Sequence, residues 1–265
     1  GTSRRQRQMC IRDSYMSFKD IFNIEAEVKE SAHARVNLIG EHTDYTGGYV
    51  MPTLLSFKNT IEISQNNSNE FTVYSQHFKE KKTFNDFKKS INNEWVDYIK
   101  GCLHIFFDEN KISSRFINIF ISSDIPLERG ISSSSALCVA TLKALNTFFE
   151  TKIKDPEIAK LAKKVEFNYI GVSGGIMDQM VSSIGIHGKA FFMNCKNLEY
   201  ELINFPENWK FCLIDSEVQR NLRDSSYNER FAELQEAEKK LGVEYLGGVK
   251  KDNFQSDKFD NNTIA

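Results

Sequence analysis

The feature that most constrains the fold is a strand pattern that passes into a helix pattern through a short polar turn. Residues 115–125 are rich in β-branched and aromatic side chains, with isoleucine at alternate positions, and Pro126 ends the run. Gly130 and a run of serines follow, and an apolar, helix-forming stretch covers residues 136–149. This order predicts a buried strand that leads through a turn of small residues into a buried helix.

The rest of the chain mixes both periodicities. Alternating apolar and polar residues predict paired strands at residues 59–64 and 70–78, and further strands at 190–194, 198–205 and 211–215. Apolar residues at steps of three and four predict helices at 95–106, 156–169 and 225–241, and Asp155 is the expected N-cap of the second. Because strands and helices do not alternate in strict βαβ order, the predicted fold class is α+β.

Composition excludes several classes of protein. The 265 residues suffice for one large or two small domains. Lys and Arg number 34 against 36 for Asp and Glu, so there is no basic excess for binding nucleic acid. No apolar run approaches the roughly 18 to 20 residues that span a bilayer, so we expect no membrane partner. The five cysteines are scattered without a C-x-x-C pair, which favours free thiols and a cytoplasmic protein.

The first fifteen residues differ from the sequence that follows them. They carry four arginines but lack the apolar stretch that a signal peptide has after its charges. We therefore interpret residues 1–15 as a non-native leader, and the patterned sequence begins at Met16.

Three segments combine glycines with groups that bind small polar molecules. The first, residues 34–48, reads ARVNLIGEHTDYTGG: an apolar strand ends at a glycine, and Glu41, His42 and Asp44 follow at once. Carboxylates accept hydrogen bonds from hydroxyls, so the cluster suits a sugar or another polyol; a solvated turn is the alternative. A metal site at His42 is not favoured, because no second histidine cluster accompanies it.

The second segment, residues 125–136, reads IPLERGISSSSA. Backbone N–H groups at a glycine turn that opens a helix form an anion site, and clustered hydroxyls add donors or a magnesium ligand. Phosphate is the ligand that this pattern favours, and a serine-capped helix that binds nothing is the alternative. The segment is not a Walker loop, because no G-x-x-x-x-G-K-[ST] pattern occurs in the chain.

The third segment, residues 171–179, reads GVSGGIMDQ and places Asp178 just after glycines that permit close approach of a ligand to the backbone. Asp178 is a candidate acceptor for the proton of an attacking hydroxyl. The alternative is a helix N-terminal aspartate that the helix dipole stabilises. Glu166, upstream of this segment, either faces the same cavity or is a solvated helix charge.

In this order and spacing the three segments resemble the motifs of the GHMP superfamily of small-molecule kinases, and the first closely resembles the galactokinase signature. The resemblance covers residues 32 to about 241. It implies the two-domain GHMP kinase fold. A ribosomal-protein-S5-like N-terminal domain is expected at residues 16–185, and the start of a truncated C-terminal α+β domain at residues 186–265.

The resemblance also implies a function: ATP-dependent phosphorylation of the anomeric C1 hydroxyl of galactose, giving galactose 1-phosphate and ADP. The implied ligands are the sugar, ATP and Mg²⁺, bound by a monomer. By their positions, the catalytic residues are Asp178 and Arg35, and the sugar contacts are Glu41, His42, Asp44, Gly175 and Tyr227, the last within RNLRDSSYN at residues 220–228. The phosphate loop is Gly130, Ile131, Ser132, Ser133 and Ser134, and the magnesium ligands are Ser134 and Glu166.

Several positions depart from the family pattern. His33 and Ala34 stand where Pro-Gly is usual, Gln219 stands where a basic residue is usual, and Glu128 and Arg129 replace glycine-rich sequence before Gly130. The glycine-rich third motif of the family is absent, from which we infer a truncated chain. Two alternatives stay open: a related sugar 1-kinase for N-acetylgalactosamine, arabinose or another hexose, and a sugar- and ATP-binding regulator or inactive fragment without turnover.

Overall fold

Eight strands among the described residues form one mixed sheet. A computed structural model describes residues 16–126, 129–215 and 225–250, with side chains from residue 229 onward in the last range. The strands are β1 Val28–Asn37, β2 Tyr49–Val50, β3 Pro52–Gln65, β4 Phe71–Ser75, β5 Glu80–Phe84, β6 Ile117–Ser123, β7 Lys189–Asn194 and β8 Tyr200–Asn204. The helices are α1 Phe18–Phe22, α2 Val96–Asn110, α3 Ser133–Phe148, α4 Asp155–Lys164, α5 Met177–Ile184 and α6 Ser225–Leu241. A π-helical segment, Val165–Ile170, continues α4, and a 3₁₀ turn, Leu246–Gly248, follows α6.

The strand order is β2-β7-β3-β6-β4-β5, with β1 paired to β3 and β8 paired to β7. Only β4 and β6 run parallel among these pairs of described strands. The predicted pairing of residues 59–64 with 70–78 is wrong, because β6 lies between β3 and β4. Both edges of β3 are occupied over this stretch, by β1 on one side and β6 on the other. Alternation identifies a strand but does not identify its neighbours.

The main core lies between the sheet and the helices α2, α3 and α4. Ile61 and Ile63 of β3 are fully buried, as their alternation predicts, and they share one apolar cluster with Leu103 of α2 and Leu142 of α3. The helix α3 has neither proline nor glycine, and its small alanines let it pack closely on β1 and β3. The predicted order of strand, turn and helix is therefore confirmed in β6 and α3.

Other predicted elements differ from the structure at their ends. The N-cap of α4 is Lys154, so Asp155 lies inside the first turn, where its charge still complements the helix dipole. The prediction for 156–169 covers α4 and the π-helical segment together. The strand predicted at 211–215 does not form: no described strand pairs with it, and Leu213 and Ile214 are exposed.

The described part of the chain contains no helix long and apolar enough to cross a membrane. Cys102, Cys138 and Cys195 are buried free thiols and Cys212 is an exposed one, as predicted. Cys10, the leader at residues 1–15, Glu128 and Gln219 lie outside the described residues.

Candidate active site

An irregularity in strand pairing brings Arg35 to the loop before α3. His33 pairs with Lys58, but Arg35 pairs with Leu54, so extra residues of β3 lie opposite the intervening position. The backbone N–H of Arg35 instead donates to the carbonyl oxygen of Ile131 at 3.2 Å. The bulge therefore ties β1 to the phosphate loop, residues 130–134.

Arg35 and Asp178 form a bidentate ion pair. Arg35 Nε donates to Asp178 Oδ1 at 2.7 Å and Nη2 donates to Oδ2 at 2.7 Å. The remaining nitrogen, Nη1, donates to the carbonyl oxygen of Gly130 at 3.0 Å. Asp178 lies in the first turn of α5, so the guanidinium fixes both carboxylate oxygens against a helix N-terminus.

Ser132 also binds Asp178. Its hydroxyl donates to Asp178 Oδ2, and its backbone is left-handed at φ 61°. Gly130 is left-handed as well, at φ 68°, a conformation that glycine adopts without a steric penalty. The turn places the predicted phosphate loop directly beside the predicted catalytic carboxylate. Ile131, which lies between Gly130 and Ser132 in the chain, is buried.

A second carboxylate, Glu166, lies behind the same turn. Its Oε1 accepts from the hydroxyl of Ser134 at 2.8 Å, and its Oε2 accepts from the hydroxyl of Ser135 at 2.8 Å and from the amide nitrogen of Gln179. Burial raises the pKa of Glu166, and these donors oppose the shift. No role was predicted for Ser135 or Gln179 from the sequence, although both adjoin predicted site residues. Ser133, the first residue of α3, accepts from Asn59 through its carbonyl oxygen at 3.0 Å.

The donor set at Glu166 fits a magnesium ion. Mg²⁺ prefers hard oxygen ligands and is commonly held by one or two carboxylates together with phosphate oxygens. The Ser134 hydroxyl and the Glu166 carboxylate are such ligands, and they lie next to the phosphate loop. Among the residues that the structure describes, no group of three or more His, Cys, Asp or Glu converges, so a metal here would depend on oxygens of its ligand.

Asp44 and Gly175 are in direct contact. A Cβ atom at Gly175 would lie 2.1 Å from Asp44 Oδ2, so only glycine fits there. Asp44 Oδ1 is buried and has no hydrogen-bond partner. Burial and the nearby charge of Asp178 raise the pKa of Asp44 to about 7, and Arg35 and Lys163 oppose that rise. An unpartnered buried acceptor beside Asp178 suits a ligand hydroxyl.

The other predicted sugar contacts are more exposed. Glu41 and His42 are exposed, and His42 Nδ1 lies 2.5 Å from the hydroxyl of Tyr45. The ring of Tyr45 packs on Phe231 of α6, with ring centroids 5.3 Å apart. The helix that carries Tyr227 therefore lies beside the loop at residues 40–48, although the side chain of Tyr227 lies outside the described residues.

Two departures from the family pattern have defined partners. His33 Nδ1 lies 3.1 Å from the carbonyl oxygen of Leu55 and 3.0 Å from His187 Nε2. Arg129 Nε forms an ion pair with Asp215 at 2.8 Å. Arg129 is thus engaged with the chain beyond β8.

Two families match parts of the chain by sequence profile. The profile described as GHMP kinases N terminal domain matches residues 97–185, and the profile described as Galactokinase galactose-binding signature matches residues 16–65. The first range contains the phosphate loop, Glu166 and Asp178, and the second contains Arg35 and Asp44. Each site carboxylate described above therefore lies within a matched range.

Individual relatives agree with these profiles. The galactokinase of Thermotoga petrophila is 34% identical over 229 residues, which are 86% of this chain and 64% of the relative. That of Pyrococcus furiosus is 36% identical over 220 residues, 83% and 61% of the two chains. This chain thus spans slightly less than two thirds of the length of these curated relatives.

Solved structures show the same fold. Lactococcus lactis galactokinase complexed with galactose superposes with a TM-score of 0.84 at 29% identity, covering 93% of this chain and 67% of that one. Methanococcus jannaschii mevalonate kinase superposes with a TM-score of 0.60 at 20% identity over 87% of this chain and 76% of that one. The second likeness concerns the fold alone.

The α+β fold, the paired Arg35 and Asp178, and the serine turn beside them agree with the first profile: this chain has the GHMP kinase fold and carries GHMP kinase N-terminal domain sequence at residues 97–185. The resemblance in its motifs is confirmed at this level. The second profile, the relatives at 34% and 36% identity and the structure with a TM-score of 0.84 are all galactokinases.

Proposed function

We propose that this chain belongs to an enzyme that transfers the γ-phosphoryl group of ATP to the C1 hydroxyl of galactose, giving galactose 1-phosphate and ADP. The observation that carries the proposal is the arrangement around Asp178. Arg35 and Ser132 hold this carboxylate on the side of the phosphate loop, and the unpartnered acceptor of Asp44 lies close enough for the two charges to interact. One carboxylate therefore lies near both the predicted phosphate loop and the predicted sugar-binding residues, which supports the proposal.

In the proposed reaction, Asp178 accepts the proton of the C1 hydroxyl. The C1 oxygen forms a bond to the γ-phosphorus, the bond from that phosphorus to the β,γ-bridging oxygen breaks, and ADP leaves. Arg35 stabilises negative charge at this point with its fixed guanidinium. Such a transfer depends mostly on positioning and charge neutralisation, which this set of residues supplies.

The remaining residues would bind the two substrates. Backbone N–H groups of the phosphate loop would contact the ATP phosphates, and Asp44, Gly175, Glu41, His42 and Tyr227 would contact the sugar. Ser134 and Glu166 would hold Mg²⁺, which neutralises phosphate charge when bound. The domain division at residue 185 stays a prediction. Because β7 and β8 pair within the main sheet, we propose that the first domain extends through β8.

The test is a product assay. The purified chain is incubated with Mg-ATP and a panel of free sugars, and mass spectrometry detects any sugar that has gained a phosphoryl group. Galactose phosphate is the expected product. A different phosphorylated sugar would favour the related 1-kinases, and sugar binding without product would favour a protein without turnover.

The matched variant is Asp178→Asn. It should lower the rate by a factor of about 100 or more while sugar affinity is kept, because the proton acceptor is lost and the sugar contacts remain. Far-UV circular dichroism and thermal unfolding establish that the variant is folded. An unchanged rate in a folded variant would show that Asp178 does not accept the proton.

A further inference from the structure

Lys163 is a half-buried lysine for which neither the family motifs nor the proposed reaction gives a role. It lies in the last turn of α4, and no hydrogen bond or ion pair joins it to another residue in the described ranges. Burial lowers its pKa. A half-buried ammonium without a hydrogen-bond partner is costly, so its position needs an explanation.

The geometry of α4 turns Lys163 toward the candidate active site. Ala159 lies four residues earlier, on the same face of the helix. Ala159 is fully buried in an apolar cluster with Ile176, Met177 and Cys195. Ile176 and Met177 directly precede Asp178 and directly follow Gly175, so this face of α4 packs where the proposed proton acceptor and sugar loop meet.

Among the charged groups near Asp44, Lys163 is the cation that no other group compensates. Among the described residues, five side chains interact with the Asp44 carboxylate: Arg35 of β1, Asp178 of α5, Lys163 of α4, the thiol of Cys195 after β7, and the phenol of Tyr45, whose pKa is raised so that it stays neutral. Arg35 and Asp178 compensate each other through their bidentate pair, and the raised pKa of Cys195, about 12, keeps that thiol neutral. The uncompensated charges are therefore the anion of Asp44 and the cation of Lys163.

We propose that Lys163 is a further sugar-binding residue that acts together with Asp44 on one hydroxyl of the substrate. A hydroxyl group donates one hydrogen bond and accepts others. The Asp44 carboxylate accepts the hydroxyl proton, and the Lys163 ammonium donates to the oxygen of the same hydroxyl. The pair would select a hydroxyl over hydrogen at that carbon, because the deoxy sugar leaves both groups unsatisfied. This inference rests on the proposed function.

The test measures equilibrium binding without ATP by isothermal titration calorimetry. Galactose and its monodeoxy analogues are titrated into the wild-type protein and the Lys163→Met variant. The variant should bind galactose about tenfold to a hundredfold more weakly, as expected for loss of a hydrogen bond to a charged group. One deoxy analogue should bind the wild type weakly and should bind Lys163→Met no more weakly than that. The same analogue should be the one whose affinity Asp44→Asn leaves unchanged.

The control is Lys164→Met. Lys164 is the next residue of α4, but its ammonium pairs with Glu109 at 2.7 Å on the exposed side of the helix. This variant should bind galactose like the wild type, and thermal unfolding checks that both variants fold. Equal galactose binding by Lys163→Met and wild type, or an equal loss with every analogue, would contradict the role of Lys163 alone. Failure of the wild type to bind any of these sugars would overturn the proposed function with it.

Discussion

Replacing Asp44 with asparagine should stabilise the free protein at alkaline pH while it weakens sugar binding. The pKa of Asp44 is raised from 3.8 to about 7, chiefly by burial and then by the charge of Asp178. The folded protein therefore binds the Asp44 proton more tightly than the unfolded chain does. The stability that this carboxyl contributes is complete below about pH 3.8 and is lost as the pH rises through about 7.

The size of this effect follows from the interval between the two pKa values. At about 1.4 kcal/mol for each unit, the rise from 3.8 to about 7 corresponds to about 4 kcal/mol. Asparagine has nearly the same volume and does not titrate. The unfolding free energies of variant and wild type should therefore be similar near pH 4, and the variant should become more stable by up to about 4 kcal/mol near pH 8.

Urea unfolding of both proteins between pH 4 and pH 8 measures this difference, in which the titrating groups that do not interact with Asp44 cancel. Asp20→Asn provides a control without this slope. Ser17 donates two hydrogen bonds to Asp20 and lowers its pKa from 3.8, so that substitution should cost a nearly constant stability between pH 4 and pH 8, and the loss should shrink only below about pH 4. A difference between Asp44→Asn and wild type that does not change with pH, or that favours the wild type at pH 8, would refute the reasoning.

Three further changes test the site and the core. Gly175→Ala should weaken sugar binding at least tenfold by displacing Asp44, whose Oδ2 would lie 2.1 Å from the new Cβ; titration calorimetry measures it, and unchanged affinity would contradict the contact. Glu166→Gln should change the unfolding free energy by less than about 1 kcal/mol but abolish the Mg²⁺ dependence of nucleotide binding, which fluorescence titration would detect. Leu103→Ala should lower the unfolding free energy by about 2 to 5 kcal/mol in urea, since Leu103 is fully buried; a smaller loss would indicate a collapsible core.

Local sequence patterns predicted most strands and helices of this fold, but they did not predict which strands pair with each other. The strand β6, the serine turn and the helix α3 follow one another directly in the sequence, so periodicity and turn composition suffice to predict them. The place of β6 between β3 and β4 depends on which strand edges are free, and no local pattern contains that information. The strand predicted at 211–215 fails for the same reason: its own pattern does not specify a partner, and no described strand pairs with it.

The candidate site shows the same division. Arg35 and Asp178 are 143 residues apart, and only the family resemblance, not their spacing, joined them before the structure. The binding of Ser132 to Asp178 was not predicted, because it depends on a left-handed backbone at a serine, which composition does not indicate. Gln179 was likewise not predicted as a partner of Glu166. It is adjacent to Asp178 in α5, and adjacent residues of a helix usually face different directions.

Irregular backbone marks this site more clearly than composition does. A bulge precedes Arg35, a left-handed residue carries the Ser132 hydroxyl, and a π-helical segment carries Glu166. Four described residues contain a buried side-chain atom without a hydrogen-bond partner, and three of them, Asn37, Asp44 and Gln179, lie in the segments that form the site. In the proposed function a substrate hydroxyl supplies the missing partner of Asp44. Stability that the free chain lacks at this position would then become affinity for the ligand, so a stabilising substitution there should weaken binding.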